Sequence, residues 1–168
     1  MRKFILAAIL AMVTQTSAAL AANNPPAESL RAADFLLGTW TCTHQEGDIT
    51  GTYTTHYEKA LSDAWIKETY DFAATSAEPA MQGEWFIGYD PRVNEWIRFG
   101  AMSDGLYFAM VGTHANDMWS WSYALPGKAN PGKTVYTKLS PTQYTIVGPS
   151  YPINGTMVTE DHLCNKSS

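Results

Sequence analysis

The sequence predicts an all-β protein, an antiparallel meander β-barrel of about ten strands with little helix. Three observations support this prediction. Short segments rich in aromatic and β-branched residues recur along most of the chain, turn-forming residues separate them at hairpin spacing, and hydrophobic residues alternate with polar ones within them. A regular series of short strands of this kind is typical of a meander barrel or of a sandwich.

The predicted elements follow one another in a simple order. Residues 27–35 could form one or two helical turns ahead of the first strand. The predicted strands are residues 36–46, 50–60, 64–72, 84–89, 95–102, 106–113, 118–125, 134–140, 143–147 and 155–164. Turn-forming residues separate the strands, as at Gly47-Asp48 and at Gly148-Pro149.

Alternation is clearest in the seventh predicted strand. Trp119, Trp121 and Tyr123 share one face of this strand, while Met118 and two serines occupy the other. The whole chain carries six tryptophans and nine tyrosines. The simplest interpretation is that these rings fill a core. Part of them could also line a cavity, because barrels of about eight or more strands leave room for a small ligand.

The N-terminus has the order of a secretion signal. Arg2 and Lys3 precede a short apolar run and a stretch of small residues. We expect cleavage after Ala21 or Ala22 and export to the periplasm or beyond, with no membrane span left in the mature chain. The chain then divides into a signal peptide, residues 1–21, a linker, residues 22–33, and a single barrel domain, residues 34–168.

The charge of the mature chain argues against a nucleic-acid partner. Eleven basic and sixteen acidic residues become nine and sixteen once Arg2 and Lys3 leave with the signal, so the formal charge changes from −5 to −7. The remaining basic residues are scattered singly, whereas phosphate backbones bind to clustered lysines and arginines. The sequence gives no indication of the oligomeric state.

The two cysteines lie at opposite ends of the predicted domain, Cys42 in the first strand and Cys164 in the last. An exported chain with two cysteines has one possible intramolecular disulfide, so we expect this pair to be bonded. The bond would make the first and last strands neighbours, which closes an antiparallel sheet into a barrel. If Cys42 lies opposite Cys164, the register also places His44 opposite His162, on the face of Trp40.

The predicted pair of imidazoles has two interpretations. If their face is the barrel interior, His44 and His162 could bind a ligand or exchange protons. The simpler interpretation is a pair of exposed or locally hydrogen-bonded histidines beside a structural disulfide. No metal site is predicted.

Other motifs that carry chemistry are missing from the sequence. It contains no Gly-X-Ser-X-Gly elbow, no His-Glu-X-X-His motif and no glycine-rich phosphate loop. Arg98 shares a strand face with Trp96, and exposure to solvent is the expected state of such an arginine. If it were buried, it would need an anionic ligand group or a carboxylate partner, for which Glu68, Asp71 and Glu84 are the candidates.

Two parts of the sequence resemble a known family. Residues 34–40, Asp-Phe-Leu-Leu-Gly-Thr-Trp, resemble the Gly-X-Trp opening of lipocalin-like barrels, in which the tryptophan plugs the barrel base. Residues 86–91, Phe-Ile-Gly-Tyr-Asp-Pro, with residues 96–99 and 102–105, resemble the central hairpin of a secreted bacterial lipocalin-like (calycin-type) family of unknown function. The resemblance implies a barrel with an unassigned ligand and brings no catalytic residues.

The leading functional prediction is non-catalytic binding of a small, mainly apolar ligand inside the barrel, with no cofactor. The predicted lining residues are Trp40, Trp85, Trp96, Arg98, Trp119, Trp121, His44 and His162. Three alternatives stay open. They are a haem-binding barrel similar to the nitrobindins with His162 as the iron ligand, a small enzyme that uses His44 and His162 for proton transfer, and a protein-interaction module with a filled barrel.

Overall fold

A computed structural model describes residues 29–74, 79–125, 132–153 and 155–167. The predicted signal peptide and the first part of the predicted linker, up to residue 28, lie outside the described residues. Within the described ranges, no helix is long and apolar enough to cross a membrane.

The described residues fold into a closed barrel of ten antiparallel strands preceded by a short 3-10 helix, which confirms the predicted fold class. The elements are η1 Arg31–Leu36, β1 Gly38–Glu46, β2 Ile49–Ala60, β3 Trp65–Phe72, β4 Met81–Asp90, β5 Glu95–Met102, β6 Tyr107–Ala115, β7 Met118–Tyr123, β8 Lys133–Ser140, β9 Gln143–Ile153 and β10 Thr156–Lys166. Each strand pairs with the next along the chain, and β10 pairs with β1, so the sheet is a meander closed on itself.

Most strand bounds differ from the prediction by a few residues, and two of the differences have a physical reason. Leu36 does not begin β1, because it ends η1 and is buried beneath the end of the barrel. The predicted turn at Gly148-Pro149 is wrong, since β9 continues to Ile153. Among the described residues, β8 pairs with β9 only as far as Val147. Proline is tolerated in a strand that has an unpaired side, so β9 can continue through this position.

The first and last strands are neighbours, as the cysteines predict. Cys42 lies directly opposite Cys164, with the sulfur atoms at disulfide distance and the Cα atoms 4.0 Å apart. The same register places His44 opposite His162. Trp40 shares the face of these residues, and Trp40, Cys42 and Cys164 are fully buried. This face is therefore the interior of the barrel.

The short helix η1 covers the end of the barrel at which β1 begins. Leu30, just before η1, is buried together with Leu36. The indole nitrogen of Trp40 donates a hydrogen bond to the carbonyl oxygen of Leu36. The ring of Phe35 packs against Trp119, with the ring centroids 5.4 Å apart. Large side chains therefore fill this end of the interior.

Candidate functional site

The half of the barrel away from η1 contains a cavity of about 230 Å³. Its lining combines aromatic rings and methionines with a few charged groups. The lining residues are Tyr53, Glu68, Tyr70, Met81, Trp85, Arg98, Met102, Phe108, Met110, Tyr123, Thr134, Tyr136, Ile146, Gly148, Glu160 and His162. Small-molecule sites in proteins are mainly apolar and contain a few polar groups that fix orientation. The composition of this lining suits such a molecule.

A buried ion pair lies in the wall of the cavity. Nη2 of Arg98 donates to Oε2 of Glu68 over 2.9 Å, and the two side chains are 9% and 5% exposed. The expectation that Arg98 faces solvent is therefore wrong. The strand register explains the difference, because Glu68 on β3 and Arg98 on β5 both point inward from the two neighbours of β4. Glu68 is thus the carboxylate that offsets the desolvation of the arginine.

Three donors satisfy the carboxylate of Glu68. Arg98 bonds to one oxygen, and the hydroxyls of Thr55 and Tyr57 donate to the other over 3.2 Å and 3.1 Å. Burial, together with the charge of Glu68, raises the pKa of Tyr57 well above its usual value. The Tyr57 hydroxyl therefore keeps its proton and remains a donor. It also lies 3.0 Å from the hydroxyl of Tyr144, deeper in the core.

Aromatic rings flank the guanidinium group of Arg98. Its Cζ atom lies 4.0 Å from the ring centroid of Trp85 and 5.4 Å from that of Tyr136, within the range of cation–π attraction. Burial lowers the pKa of Arg98, but its neighbours, Glu68 among them, raise it by more, so the group stays charged.

The position of Trp85 depends on a glycine on the neighbouring strand. Gly100 lies opposite Trp85, and a Cβ atom at Gly100 would lie 2.9 Å from Cδ2 of the indole and would also collide with the backbone oxygen of Glu84. Real Cβ contacts are essentially never this short. The missing side chain at Gly100 therefore gives the indole the space in which it supports Arg98.

A second polar group in the lining joins a carboxylate, an imidazole and a phenol. Nε2 of His162 lies 2.9 Å from Oε1 of Glu160, and Nδ1 lies 2.9 Å from the hydroxyl of Tyr53. The hydrogen bond with His162 lowers the pKa of Glu160. Burial raises the pKa of Tyr53 well above its usual value, so this phenol stays protonated.

His44 lies next to this group on the same inner face. Its ring centroid is 5.8 Å from that of His162 and 5.6 Å from that of Phe72. Both nitrogens of His162, however, are engaged by Tyr53 and Glu160. The two imidazoles are therefore neighbours, as the register predicts, while His162 directs its hydrogen bonds to other partners.

The structure divides the predicted lining residues into two groups. Trp85, Arg98 and His162 border the cavity. The residues Trp40, Trp96, Trp119, Trp121 and His44 are buried but do not border it. The four tryptophans of this second group belong to the core that packs with η1, so their rings fill space there.

Most residues of the cavity wall were missed by the sequence analysis, and for two of them, Tyr53 and Glu160, the sequence contains a signal. Glu160 precedes His162 by two residues, and residues two apart on a strand share a face. Tyr53 lies opposite Cys42, as a two-residue turn between β1 and β2 requires. The face of Cys42 therefore identifies both as interior residues.

Among the described residues, no group of three or more histidine, cysteine, aspartate or glutamate side chains could hold a metal ion.

No protein-family model matches this sequence, and no curated protein is significantly similar to it.

Proposed function

We propose that this chain is an exported protein that binds a small, mainly apolar ligand inside its barrel without catalysing a reaction on it. The cavity of about 230 Å³ carries this proposal, because methionine and aromatic side chains form most of its wall. Apolar surface removed from water on binding contributes about 25 cal/mol per Å². Methionine side chains also adapt to ligands of irregular shape.

Export to the periplasm or beyond fits the chemistry of the two cysteines. Disulfides persist in oxidising compartments, and Cys42 and Cys164 are buried at disulfide distance. The order of basic, apolar and small residues at the N-terminus supports the same location.

The contacts of His162 favour ligand binding over two of the alternatives. A haem ligand needs an available ring nitrogen, and Tyr53 and Glu160 engage both nitrogens of His162. The same two hydrogen bonds oppose direct proton exchange between His162 and His44. A filled barrel used only for protein interactions fits less well, because the interior retains a cavity.

The test compares the same substitution at two places. Met110→Trp fills part of the cavity, whereas Met118→Trp adds the same ring at the exposed start of β7. Titration with the uncharged fluorescent dye N-phenyl-1-naphthylamine should show saturable binding to the wild type and to Met118→Trp. Binding to Met110→Trp should be at least about tenfold weaker. Thermal unfolding checks that each variant folds, since overpacking costs about 1–3 kcal/mol.

Native mass spectrometry of the mature protein purified from its own host provides a second measurement. A bound small molecule of constant mass is the expected result. Bare protein combined with no dye binding by the wild type would contradict the proposal. Dye binding that Met110→Trp leaves unchanged would also oppose it, because the dye would then lie outside the cavity.

A further inference from the structure

We propose that the ligand of this cavity carries an uncharged hydrogen-bond acceptor, such as a ketone, ester or amide carbonyl, at the end that faces Arg98. This inference rests on the proposed binding function and adds the chemical class of the ligand to it. The ligand would be a compact, mainly apolar molecule with one such polar end.

The first observation is an imbalance within the buried ion pair. The carboxylate of Glu68 accepts hydrogen bonds from Arg98, Thr55 and Tyr57, so both of its oxygens are engaged. Nε of Arg98 is buried and has no acceptor among the described residues. A buried donor without a partner destabilises the fold. The pair therefore has an unused donor and needs an additional acceptor.

A second residue of the lining that carries a donor, Tyr136, has its ring beside the guanidinium group. Tyr136 lines the same cavity, and its ring centroid is 5.4 Å from Cζ of Arg98. Burial raises the pKa of Tyr136, so its hydroxyl keeps its proton and can donate. Two donors in the lining of one cavity suit an oxygen that has two lone pairs, which is the case for a carbonyl oxygen.

The charges of the lining favour an uncharged acceptor over a carboxylate. Arg98 and Glu68 already compensate each other. Glu160, whose pKa is lowered by its hydrogen bond with His162, adds a negative charge to the same cavity. An anionic ligand would bring a further negative charge into a partly buried region, where like charges repel more strongly than in water. A carbonyl group uses the donors without this repulsion.

The size of the cavity and the nature of its wall limit the rest of the ligand. An apolar cavity of about 150 Å³ holds one benzene molecule, so about 230 Å³ accommodates at least the two fused rings of a naphthalene. Met81, Met102 and Met110 supply flexible apolar walls. Arg98 and Tyr136 both border the cavity, so an acceptor at this end of the ligand would lie next to the guanidinium group.

The test uses three probes that share a naphthalene ring and the same number of non-hydrogen atoms. They are 2-acetylnaphthalene with a carbonyl acceptor, 2-isopropylnaphthalene without an acceptor, and 2-naphthoate with a negative charge. Each is measured by displacement of N-phenyl-1-naphthylamine from the wild-type protein at pH 7. We expect the ketone to bind about tenfold more tightly than the hydrocarbon, and the carboxylate to bind most weakly.

The variant Arg98→Lys tests the contribution of the guanidinium donors. It keeps the positive charge beside Glu68 but lacks the guanidinium donor, and Arg92→Lys makes the same change at an exposed turn. The preference for the ketone should fall to about twofold or less in Arg98→Lys and stay unchanged in Arg92→Lys. Circular dichroism and thermal unfolding show whether each variant folds. If Arg98→Lys does not fold, the relative affinities of the three probes for the wild type test the inference.

Three results would overturn the inference. They are equal binding of ketone and hydrocarbon by the wild type, tightest binding of 2-naphthoate, or a ketone preference that persists in folded Arg98→Lys. In each case the hydrocarbon or another probe still binds, so the proposed binding function stands. Failure of all three probes and of the dye to bind would instead reject the binding function and this inference with it.

Discussion

The hydrogen bond between Glu160 and His162 should make the contribution of Glu160 to stability depend on pH. This bond lowers the pKa of Glu160 from the ordinary value of 4.5. A carboxyl group whose pKa is lower in the folded state stabilises the fold above its unfolded pKa. That contribution is lost as the pH falls through the folded pKa. The carboxylate is 40% exposed, so solvent screening keeps the effect small.

The substitution Glu160→Gln should remove this contribution. We expect the variant to be slightly less stable than the wild type at pH 7, because the charge that favours the bond with His162 is lost. The difference should narrow as the pH falls below about 4.5. Urea unfolding between pH 7 and pH 3 measures the difference in unfolding free energy between the wild type and Glu160→Gln. Glu58→Gln, on the exposed outer face of β2, is the control and should show no comparable narrowing.

At the scale of single residues, the sequence did not predict that Arg98 is buried or which carboxylate is its partner. Alternation along β5 correctly places Arg98 on the face of Trp96. It does not predict whether an arginine on that face is buried or reaches solvent. Burial of Arg98 depends on Glu68, which lies on a strand 30 residues earlier in the sequence. Three carboxylates were equally suitable from sequence alone. Only the register of β3, β4 and β5 selects one of them.

At the scale of elements, local sequence predicts the hairpins and the short helix before β1, but not where that helix ends. Gly47-Asp48 sets a two-residue turn, and the pairing of β1 with β2 follows from it. The predicted strand start at Leu36 is wrong because packing decides it. Leu36 is apolar like a strand residue, yet it is buried within a 3-10 helix that covers the barrel end. No periodic pattern in six residues can indicate such a cap.

The cap formed by η1 makes a specific contribution to stability. Leu36 is 4% exposed, and its carbonyl oxygen accepts a hydrogen bond from Trp40. We expect Leu36→Ala to lower the free energy of unfolding by about 2–5 kcal/mol, because it leaves a cavity in the core. Leu139→Ala removes the same atoms from a side chain that is 52% exposed on β8, and should cost much less.

Urea unfolding followed by tryptophan fluorescence measures both leucine variants. A larger loss of unfolding free energy in Leu36→Ala than in Leu139→Ala would support the role of η1 as a cap on the core. Similar losses for Leu36→Ala and Leu139→Ala would mean that η1 does not cap the core, and that its contacts with Trp40 contribute little to the fold.

At the scale of the whole molecule, closure of the barrel is the property on which the cavity depends. An open sheet has two edges with unpaired backbone groups, and a closed barrel has none. Here the closing pair consists of β1 and β10, which come from the two ends of the described chain. Cys42 and Cys164 lie on this pair, 122 residues apart in sequence. The cysteines made this pairing predictable, since hydrophobic patterns alone do not indicate which distant strands meet.

Removal of the closing disulfide should therefore destabilise the whole barrel. Chain-entropy arguments give roughly 5 kcal/mol for a loop of this length. We expect the double variant Cys42→Ala with Cys164→Ala, and the wild type in reductant, to unfold at a clearly lower urea concentration than the oxidised wild type. Equal midpoints for all three proteins would contradict this expectation. So would alkylation of both thiols in unreduced, denatured protein, because Cys42 and Cys164 would then not be bonded.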